Sequence, residues 1–404
     1  MSSASSHIAG AAQSLPGGGG AAGSSPRIPL LDLSRSIAPL REELLAAMAR
    51  VVDSGCFLHG PDVQELERAV AELCGVQEAV ACASGSDALL LALMALGIGD
   101  GDEVIVPSFT FFATASAVWR LGARPVFVDI DPHTFNLDPQ RIEDAITPLT
   151  RAIIPVHLFG QCADMAAIDQ IARRWNLAVI EDAAQAIAAR FEGRPAGAWG
   201  VVGAFSFYPT KNLGGFGDGG MLTTRDAALA RDLRLLAAHG MSPRYYHQVV
   251  GINSRLDSLQ AAVLRVKLAR LREWTAARQV NARRYEALLR AAGLEGRIVL
   301  PQTDPRCEHV WNQYTIRIRG GVRDAVKARL AALGVGTEVY YPVPLHLQKC
   351  FQSLGYGPGS LPHTEQAARE VLSLPIFPEL TVEEQAIVVD RLAQALAMPH
   401  SQAA

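Results

Sequence analysis

The sequence predicts an α/β fold: a large domain with a mainly parallel sheet of the seven-stranded type, flanked by helices, and a smaller C-terminal α+β domain. Short β-prone apolar runs alternate with helical patterns from Ala79 to Lys211, which is typical of a parallel sheet covered by helices. A chain of 404 residues is too long for one small core. A long helical pattern, Leu256–Arg290, then leads to a second set of elements.

These observations divide the chain into three parts. Residues 1–27 are rich in Ser, Ala and Gly, and we expect them to be disordered because they bury too little apolar surface to fold. Residues 28–265 are predicted to form the large domain. Residues 266–404 are predicted to form the small C-terminal domain.

In the large domain, each element follows from the spacing of its apolar residues. Apolar residues three or four apart predict helices, and short apolar runs bounded by turn residues predict strands. The predicted helices are Arg41–Val52, Asp62–Leu73, Ala88–Leu96, Ala115–Leu121 and Ala166–Trp175. The predicted strands are Ala79–Cys82, Glu103–Pro107, Pro125–Ile130, Ala152–Val156, Val179–Ile180 and Ala204–Tyr208.

The remaining elements belong to the connection and the small domain. Leu256–Arg290 has the pattern of one long helix with room for a single break. The predictions that follow are a strand at Tyr314–Arg319, a helix at Asp324–Leu333, a strand at Thr337–Tyr341 and a final helix at Glu383–Ala397.

Composition and charge exclude several classes of function. The formal net charge is −3 and no basic run occurs, so we expect no nucleic-acid partner. The most apolar run, Ala88–Leu96, is far shorter than the roughly 20 residues of a membrane span, and no secretory signal is present. We therefore expect a cytoplasmic protein with no membrane partner. The six scattered cysteines predict free thiols, and the histidines show no metal-binding spacing, so no metal site is predicted.

Chemically distinctive residues follow the predicted strands. Ser86, Phe111, His157, Asp182 and Lys211 all lie where a strand ends. Ligands of open α/β sheets bind outside the carboxyl ends of the strands. The pattern therefore predicts an active site at this edge, although for His157 a structural role is favoured.

Lys211 lies in the stretch AFSFYPTKNLGGFGDGG, Ala204–Gly220, directly after an apolar strand. A lysine at a buried strand end, beside glycines that let a large ligand approach the backbone, is a candidate covalent catalyst. Taken alone, the stretch is explained equally well by a surface lysine on a Gly-rich loop.

Pyridoxal phosphate is a cofactor whose functional groups could be bound by the residue types at these positions. It requires a lysine for a Schiff base, which Lys211 offers, and a carboxylate for its ring nitrogen, which Asp182 offers. Gln185 can donate to the ring oxygen, and Phe111 can lie against the ring. Its phosphate needs helix N-terminal amides and hydroxyls; the candidates are Ser86, Asp87 and Ser206. Singly, each residue has an ordinary explanation, such as a helix cap.

The motifs around these residues resemble a known family. From about Ile28 to Leu396 the chain is similar to the DegT-type family of pyridoxal-phosphate-dependent nucleotide-sugar aminotransferases, which have the aspartate-aminotransferase fold (fold type I). The motifs are ASGSDALLLAL, DEVIVPSFTFFATA, PVFVDID, VIEDAAQA, FSFYPTKNLGGFGDGGML and NSRLDSLQAAVLRVKL.

The resemblance implies a role for each residue. Lys211 would be the Schiff-base lysine and proton shuttle, Asp182 the partner of the pyridine nitrogen, Gln185 a contact of the ring oxygen and Phe111 the stacking aromatic. The family often has Thr at the position of Ser86. The other implied residues are Ser86, Asp87 and Ser206 for the phosphate, Asn253 for the phosphate of the neighbouring subunit, and Arg255, Tyr341 and His346 for the sugar nucleotide. The role of Asn253 implies a homodimer with shared active sites.

The implied reaction moves an amino group, from glutamate by family habit, to a keto group of a nucleotide-diphosphate sugar. The segment KNLGGFGDGG resembles the subgroup that acts on 3-keto sugars, and a 4-keto sugar is the alternative. A pyridoxal-phosphate-binding regulatory protein of the same fold is a second alternative, although no helix-turn-helix is present. Sugar dehydratases of the same fold have His in place of Lys211, so Lys211 argues against that activity. A cysteine desulfurase needs a reactive cysteine on a loop, and Cys350 is the single candidate for one.

Overall fold

The computed structural model describes residues 27–397 of the chain. The sequence-based prediction of a disordered tail over residues 1–27 therefore lies, apart from Arg27, outside the described residues. Within them, the fold is the predicted α/β arrangement with a large sheet of seven strands.

The large sheet has the order β1-β9-β8-β5-β4-β2-β3. Neighbours from β8 to β3 run parallel, and β9 is antiparallel to both β8 and β1. The mainly parallel sheet predicted from the sequence is thus confirmed. The seven strands are β1 (Glu78–Cys82), β2 (Glu103–Pro107), β3 (Arg124–Val128), β4 (Thr150–Ile153), β5 (Ala178–Asp182), β8 (Val202–Ser206) and β9 (Gly220–Thr224); β6 (Arg190–Phe191) and β7 (Arg194–Pro195) lie between β5 and β8 along the chain.

Five helices of this region, α3 to α7, pack directly against strands of the large sheet. α4 is apolar all round and is buried from Ala88 to Leu93, as a helix enclosed by other elements must be. The helices of this region are α1 (Leu33–Ile37), α2 (Arg41–Ser54), α3 (Pro61–Cys74), α4 (Gly85–Ala95), α5 (Ala113–Arg120), α6 (Met165–Trp175) and α7 (Ala227–Ala237).

The long helical pattern forms two helices, α8 (Ser258–Leu268) and α9 (Leu271–Ala291). The structure therefore contains the one break for which the sequence left room. α8 packs against α2 and α3, and α9 packs against the last helix, α12 (Val382–Ala397). The break lets one continuous segment cover two different parts of the molecule.

A small antiparallel sheet follows, with the order β10-β12-β13. Its strands are β10 (Ile298–Val299), β12 (Tyr314–Ile318) and β13 (Val371–Leu374), while β11 (Cys307–Glu308) pairs with β6; α10 (Arg323–Ala332) and α11 (Pro362–Glu370) complete this region. The strand predicted at Thr337–Tyr341 is wrong: only Glu338 forms a bridge there, to Ser373, because β13 occupies the position beside β12.

The hydrophobic core around the small sheet extends to the large one. It includes Phe109 and Val156, which follow β2 and β4 at the carboxyl edge of the large sheet, and Ile28 at the start of the described chain. Ile28 also pairs with Val335 as a parallel bridge. The small sheet and its helices are thus packed over the edge at which the candidate residues lie. No helix between residues 27 and 397 is both long and apolar enough to cross a membrane.

Candidate active site

Asp182 and Lys211 lie at the ends of two adjacent parallel strands. Asp182 ends β5, and Lys211 follows the neighbouring strand β8 after a short turn in which its amide donates to the Tyr208 carbonyl at 2.9 Å. The negative charge of Asp182 raises the pKa of Lys211, so the two side chains lie within electrostatic reach. Adjacent parallel strands end at the same edge, and this geometry brings an acid and an amine together.

The Asp182 carboxylate is buried and held by two donors. Thr114 Oγ1 donates to Oδ2 at 2.8 Å, and the Ala184 amide donates to Oδ1 at 3.3 Å. Burial raises the pKa of this carboxyl, while the hydrogen bonds from Thr114 and Ala184 and the charge of Lys211 oppose the rise. The donors favour the ionised form that a partner of a protonated ring nitrogen must have.

Burial lowers the pKa of the Lys211 amine to about 8, against the opposing effect of Asp182. The next residue, Asn212, anchors the backbone beside Lys211 through its side chain. Its side-chain amide donates to the Val310 carbonyl at 2.9 Å and its oxygen accepts from Asn312 at 2.8 Å. An amine with this pKa is partly neutral near pH 7, as a nucleophile or base must be.

The N-terminus of α4 and the end of β8 form one wall of the site. Ser84 caps α4, accepting the Asp87 amide at 3.1 Å. The amides of Gly85 and Ser86 are in the first turn, where no carbonyl of the same helix can accept them. A Cβ on Gly85 would lie 2.6 Å from that of Ser206, so the absence of a side chain lets α4 approach β8. The exposed Ser86 and the half-buried Asp87 and Ser206 thus meet at a positively polarised helix end.

Gln185 and two aromatic rings form a second wall. Gln185 Oε1 accepts the Phe159 amide at 2.6 Å, and Nε2 donates to the Tyr341 hydroxyl at 3.4 Å. The Phe111 ring lies 6.1 Å from that of Tyr341 and is more than half exposed. The oxygen of Gln185 is therefore occupied, and its donor side faces Tyr341.

The glycines that follow Lys211 contact the protein's own atoms. A Cβ would meet the Pro209 carbonyl oxygen at 2.3 Å from Gly214, and the Ser84 carbonyl oxygen at 2.4 Å from Gly220. The space beside Gly219 is occupied by the side chains of Leu256 and Phe207. The sequence-based interpretation that these glycines open the backbone to a ligand is therefore replaced by close packing within the chain.

His157 is enclosed by its own chain, in keeping with the structural role that the sequence pattern favours. Its imidazole is fully buried, with Nε2 2.9 Å from Glu181 Oε2 and Nδ1 accepting the Ala163 amide at 3.2 Å. Glu181 also accepts the amides of Gly197, Trp199 and Gly200. Both groups are saturated by partners of their own chain.

His346 is also enclosed. Its Nδ1 lies 2.7 Å from Ser108 Oγ and its Nε2 lies 3.4 Å from Glu365 Oε1. The side chain is fully buried, so the structure leaves neither nitrogen open toward a sugar.

Asn253 and Arg255 do not join Lys211 within one chain. Asn253 is exposed, and Arg255 lines a cavity of about 220 Å³ between α3 and α7 that neither Lys211 nor Asp182 lines. Between them, Ser254 is buried and donates to Asp87 Oδ2 at 2.7 Å, while its oxygen accepts the Ala83 amide at 3.1 Å.

Two residues of the site were missed from the sequence. Thr114 resembles any residue of a helix start, and Ser254 stands between the two residues that the motif singled out. A polar side chain in an otherwise apolar stretch was the available signal at Thr114, whose side chain is completely buried.

Comparisons with known proteins agree on one family. The model of the DegT/DnrJ/EryC1/StrS aminotransferase family matches residues 39–393. A Streptomyces venezuelae protein named dTDP-3-amino-3,4,6-trideoxy-alpha-D-glucose transaminase is 48% identical over 92% of this chain and 96% of its own length. A Geobacillus stearothermophilus protein named pleiotropic regulatory protein is 50% identical over 91% of this chain and 98% of its own.

Solved structures have the same architecture. DesV of S. venezuelae, in complex with a ketimine intermediate, matches with a TM-score of 0.88 and 46% identity, over 93% of this chain and 100% of that one. NtdA of Bacillus subtilis, with bound cofactor PMP, matches with a TM-score of 0.86 and 36% identity, over 93% of this chain and 87% of that one.

Proposed function

Because the chain belongs to the DegT/DnrJ/EryC1/StrS aminotransferase family, we propose that it moves an amino group from glutamate to the 3-keto group of a nucleotide-diphosphate sugar. Pyridoxal phosphate is the cofactor. The choice of the 3-keto group is supported by the S. venezuelae relative, whose name describes a 3-amino sugar transaminase. A 4-keto sugar is the alternative substrate.

The observation that carries the proposal is the buried acid beside the amine: Asp182 ends β5, and Lys211 follows the adjacent strand β8. The close approach of Gly85 to Ser206 adds a cradle of amides and hydroxyls suited to a phosphate. The amine, the carboxylate and the cradle fit the three polar parts of the cofactor: its aldehyde, its ring nitrogen and its phosphate. When bound, pyridoxal phosphate supplies an electron sink for the carbon that gains or loses the amine.

Lys211 would hold the cofactor covalently and, once released, move a proton with its Nζ. With a pKa of about 8, roughly one amine in ten is neutral at pH 7. Asp182, whose ionised form is favoured by the hydrogen bonds from Thr114 and Ala184, would hold the proton of the ring nitrogen. Gln185 would donate from Nε2 to the ring oxygen, since its Oε1 is taken by the Phe159 amide.

For the phosphate, we propose Ser86, Asp87 and Ser206 of the same chain and Asn253 of a second subunit. Asn253 is exposed while its neighbour Ser254 donates to Asp87, which supports a homodimer with shared sites. The alternative arrangement is a monomer, in which Asn253→Ala would leave pyridoxal phosphate affinity unchanged. Sedimentation and titration of this variant distinguish the two.

We propose Tyr341 and Arg255 as sugar-nucleotide contacts, with Arg255 acting across the dimer. His346 would hold the loop that carries Tyr341, through Ser108 and Glu365. We further propose that residues 28–265 and 266–404 work as two domains in the cytoplasm, where the six unpaired cysteines would stay reduced.

The test is an amination assay with glutamate and a panel of 3-keto and 4-keto nucleotide sugars. We expect turnover on a 3-keto sugar. In Lys211→Ala the turnover should fall by at least about 10³-fold, and the visible absorbance of bound cofactor should disappear. Turnover on amino acids alone would contradict the proposed substrate class.

The relative named as a regulatory protein favours a second candidate function, a protein that binds the cofactor without turning over sugars. The same panel tests it: cofactor binding with no amination of any sugar would support the regulator.

A further inference from the structure

The segment after Lys211 rests on helix α8, through a buried lysine. Lys267 is 5% exposed, and its ammonium donates to the carbonyl of Gly214, three residues after Lys211. The same ammonium lies 5.8 Å from the centre of the Phe216 ring. One cation of α8 thus contacts two residues of this short segment.

A second residue of α8 contacts the same segment. Gln260 Oε1 accepts the Phe216 amide at 2.7 Å. A Cβ on Gly215 would lie 2.7 Å from that oxygen, so the side-chain amide of Gln260 fills the space beside Gly215. A side chain at position 215 would have to displace this oxygen, which accepts the Phe216 amide.

Lys267 is costly to bury. Burial lowers its pKa to about 8, and among the described residues no ion pair compensates its charge. A buried ammonium with a carbonyl as its main partner is less favourable than an apolar side chain of similar length. Stability alone therefore does not explain a lysine at this position.

Residues 214–216 are therefore held by two side chains of α8, while Asn212 is held by Val310 and Asn312. Lys211 stands at the start of this fixed run. Its amine can be aimed only as accurately as its backbone is placed, and a displacement of about 1 Å can cost about 10²-fold in rate.

We propose that Lys267 and Gln260 are positioning residues that hold the segment Lys211–Gly217 and so aim the Lys211 amine at the aldehyde of the cofactor. The inference rests on the proposed function of Lys211. It assigns a task to a buried cation that no catalytic step uses.

The experiment measures covalent capture separately from binding. The amine of Lys211 condenses with the aldehyde of pyridoxal phosphate and water leaves, which produces visible absorbance. Pyridoxamine phosphate has the same ring and phosphate but no aldehyde, and therefore cannot bond to a lysine. Stopped-flow absorbance gives the capture rate of the cofactor-free protein, and calorimetry gives the Kd of pyridoxamine phosphate.

In Lys267→Met and Gln260→Met we expect capture to slow by at least about tenfold, with the Kd of pyridoxamine phosphate within about twofold of wild type. Lys267→Arg, which keeps a donor, should restore part of the rate. The matched control is Lys349→Met, an exposed lysine, for which both values should be unchanged.

Capture at the wild-type rate in both methionine variants would overturn the inference, as would a parallel loss of pyridoxamine phosphate affinity, which would indicate general disruption of the site. If Lys267→Met does not fold, the capture rates of Gln260→Met and Lys267→Arg test the inference in its place. Absence of visible absorbance in the wild-type protein would instead overturn the proposed function of Lys211, and this inference with it.

Discussion

Glu181 and Asp182 are consecutive residues of β5, yet their carboxylates have different environments. Glu181 accepts four hydrogen bonds, from the amides of Gly197, Trp199 and Gly200 and from His157 Nε2. Asp182 accepts two, and burial raises its pKa. Successive side chains of a strand point to opposite faces. One acid is therefore saturated inside the protein, and the other retains capacity for a ligand.

Thr114→Val should shift the acid limb of the pH–rate profile upward. Valine keeps the shape but removes the donor at 2.8 Å from Asp182 Oδ2. A hydrogen bond to a charged group is worth about 1.5–3 kcal/mol, so its loss should raise the pKa of Asp182 beyond the rise that burial already causes. Since the ionised form is required, activity should be lost at a higher pH than in wild type.

The control is Ser116→Ala, on the same helix, whose hydroxyl bonds to the Ala113 carbonyl at 3.3 Å. Its profile should match that of the wild type. A profile of Thr114→Val that superimposes on both would show that this hydrogen bond does not support the charge of Asp182.

The rate of pyridoxal phosphate capture should rise with pH about a midpoint near 8. The neutral amine of Lys211 is the nucleophile, and burial lowers its pKa from 10.5 to about 8. The negative charge of Asp182 opposes this shift, so Asp182→Asn should move the midpoint below that of the wild type. Stopped-flow absorbance between pH 6 and 10 measures both. A midpoint near the ordinary value of about 10.4 would contradict the lowered pKa.

Gly85→Ala should weaken the phosphate end of the site. Its Cβ would lie 2.6 Å from that of Ser206, so α4 and β8 must separate, at a cost of about 1–3 kcal/mol in stability. We expect a lower affinity for pyridoxal phosphate and a lower Tm. Gly99→Ala, whose Cβ would meet nothing closer than 3.9 Å, is the matched control and should change neither value.

Glu181→Gln should destabilise the protein by about 2 kcal/mol or more, because its NH₂ group would face donors and leave at least one of them without an acceptor. Urea unfolding of the cofactor-free protein measures this loss. Glu72→Gln, at an exposed position of α3, should leave the free energy of unfolding unchanged. An equal stability for Glu181→Gln would mean that the four donors find other partners.

Most of the large sheet could be predicted because its strands are apolar runs between helices of clear period. β9 could not be predicted. Its residues, Gly220–Thr224, have no long apolar run, and it is a strand because β1 and β8 both pair with it. The reverse error occurred at Thr337–Tyr341, where a β-prone run forms only one bridge, since Val371–Leu374 pairs with β12 instead. Partner choice is a tertiary property that local pattern does not contain.

The candidate site shows the same limit. Asp182 and Lys211 could be singled out because each ends a recognisable strand. The burial of His346 between Ser108 and Glu365 joins residues far apart in the chain, and no spacing in the sequence indicates it. The support of Lys211 by α8 is likewise a contact between distant segments.

The packing of the glycines after Lys211 determines which positions of this segment can change. At positions 214 and 220 the nearest atoms are backbone carbonyls, so a side chain there must displace backbone, whereas at 215 and 219 the nearest atoms belong to side chains. Asp218 is exposed, and Phe216 is partly exposed although its ring lies near the Lys267 ammonium. A library that randomises 216 and 218 should therefore yield mostly folded proteins, and one that randomises Gly214 and Gly220 mostly unfolded ones. Changes of substrate preference along this segment are therefore expected at positions 216 and 218 before Gly214 and Gly220.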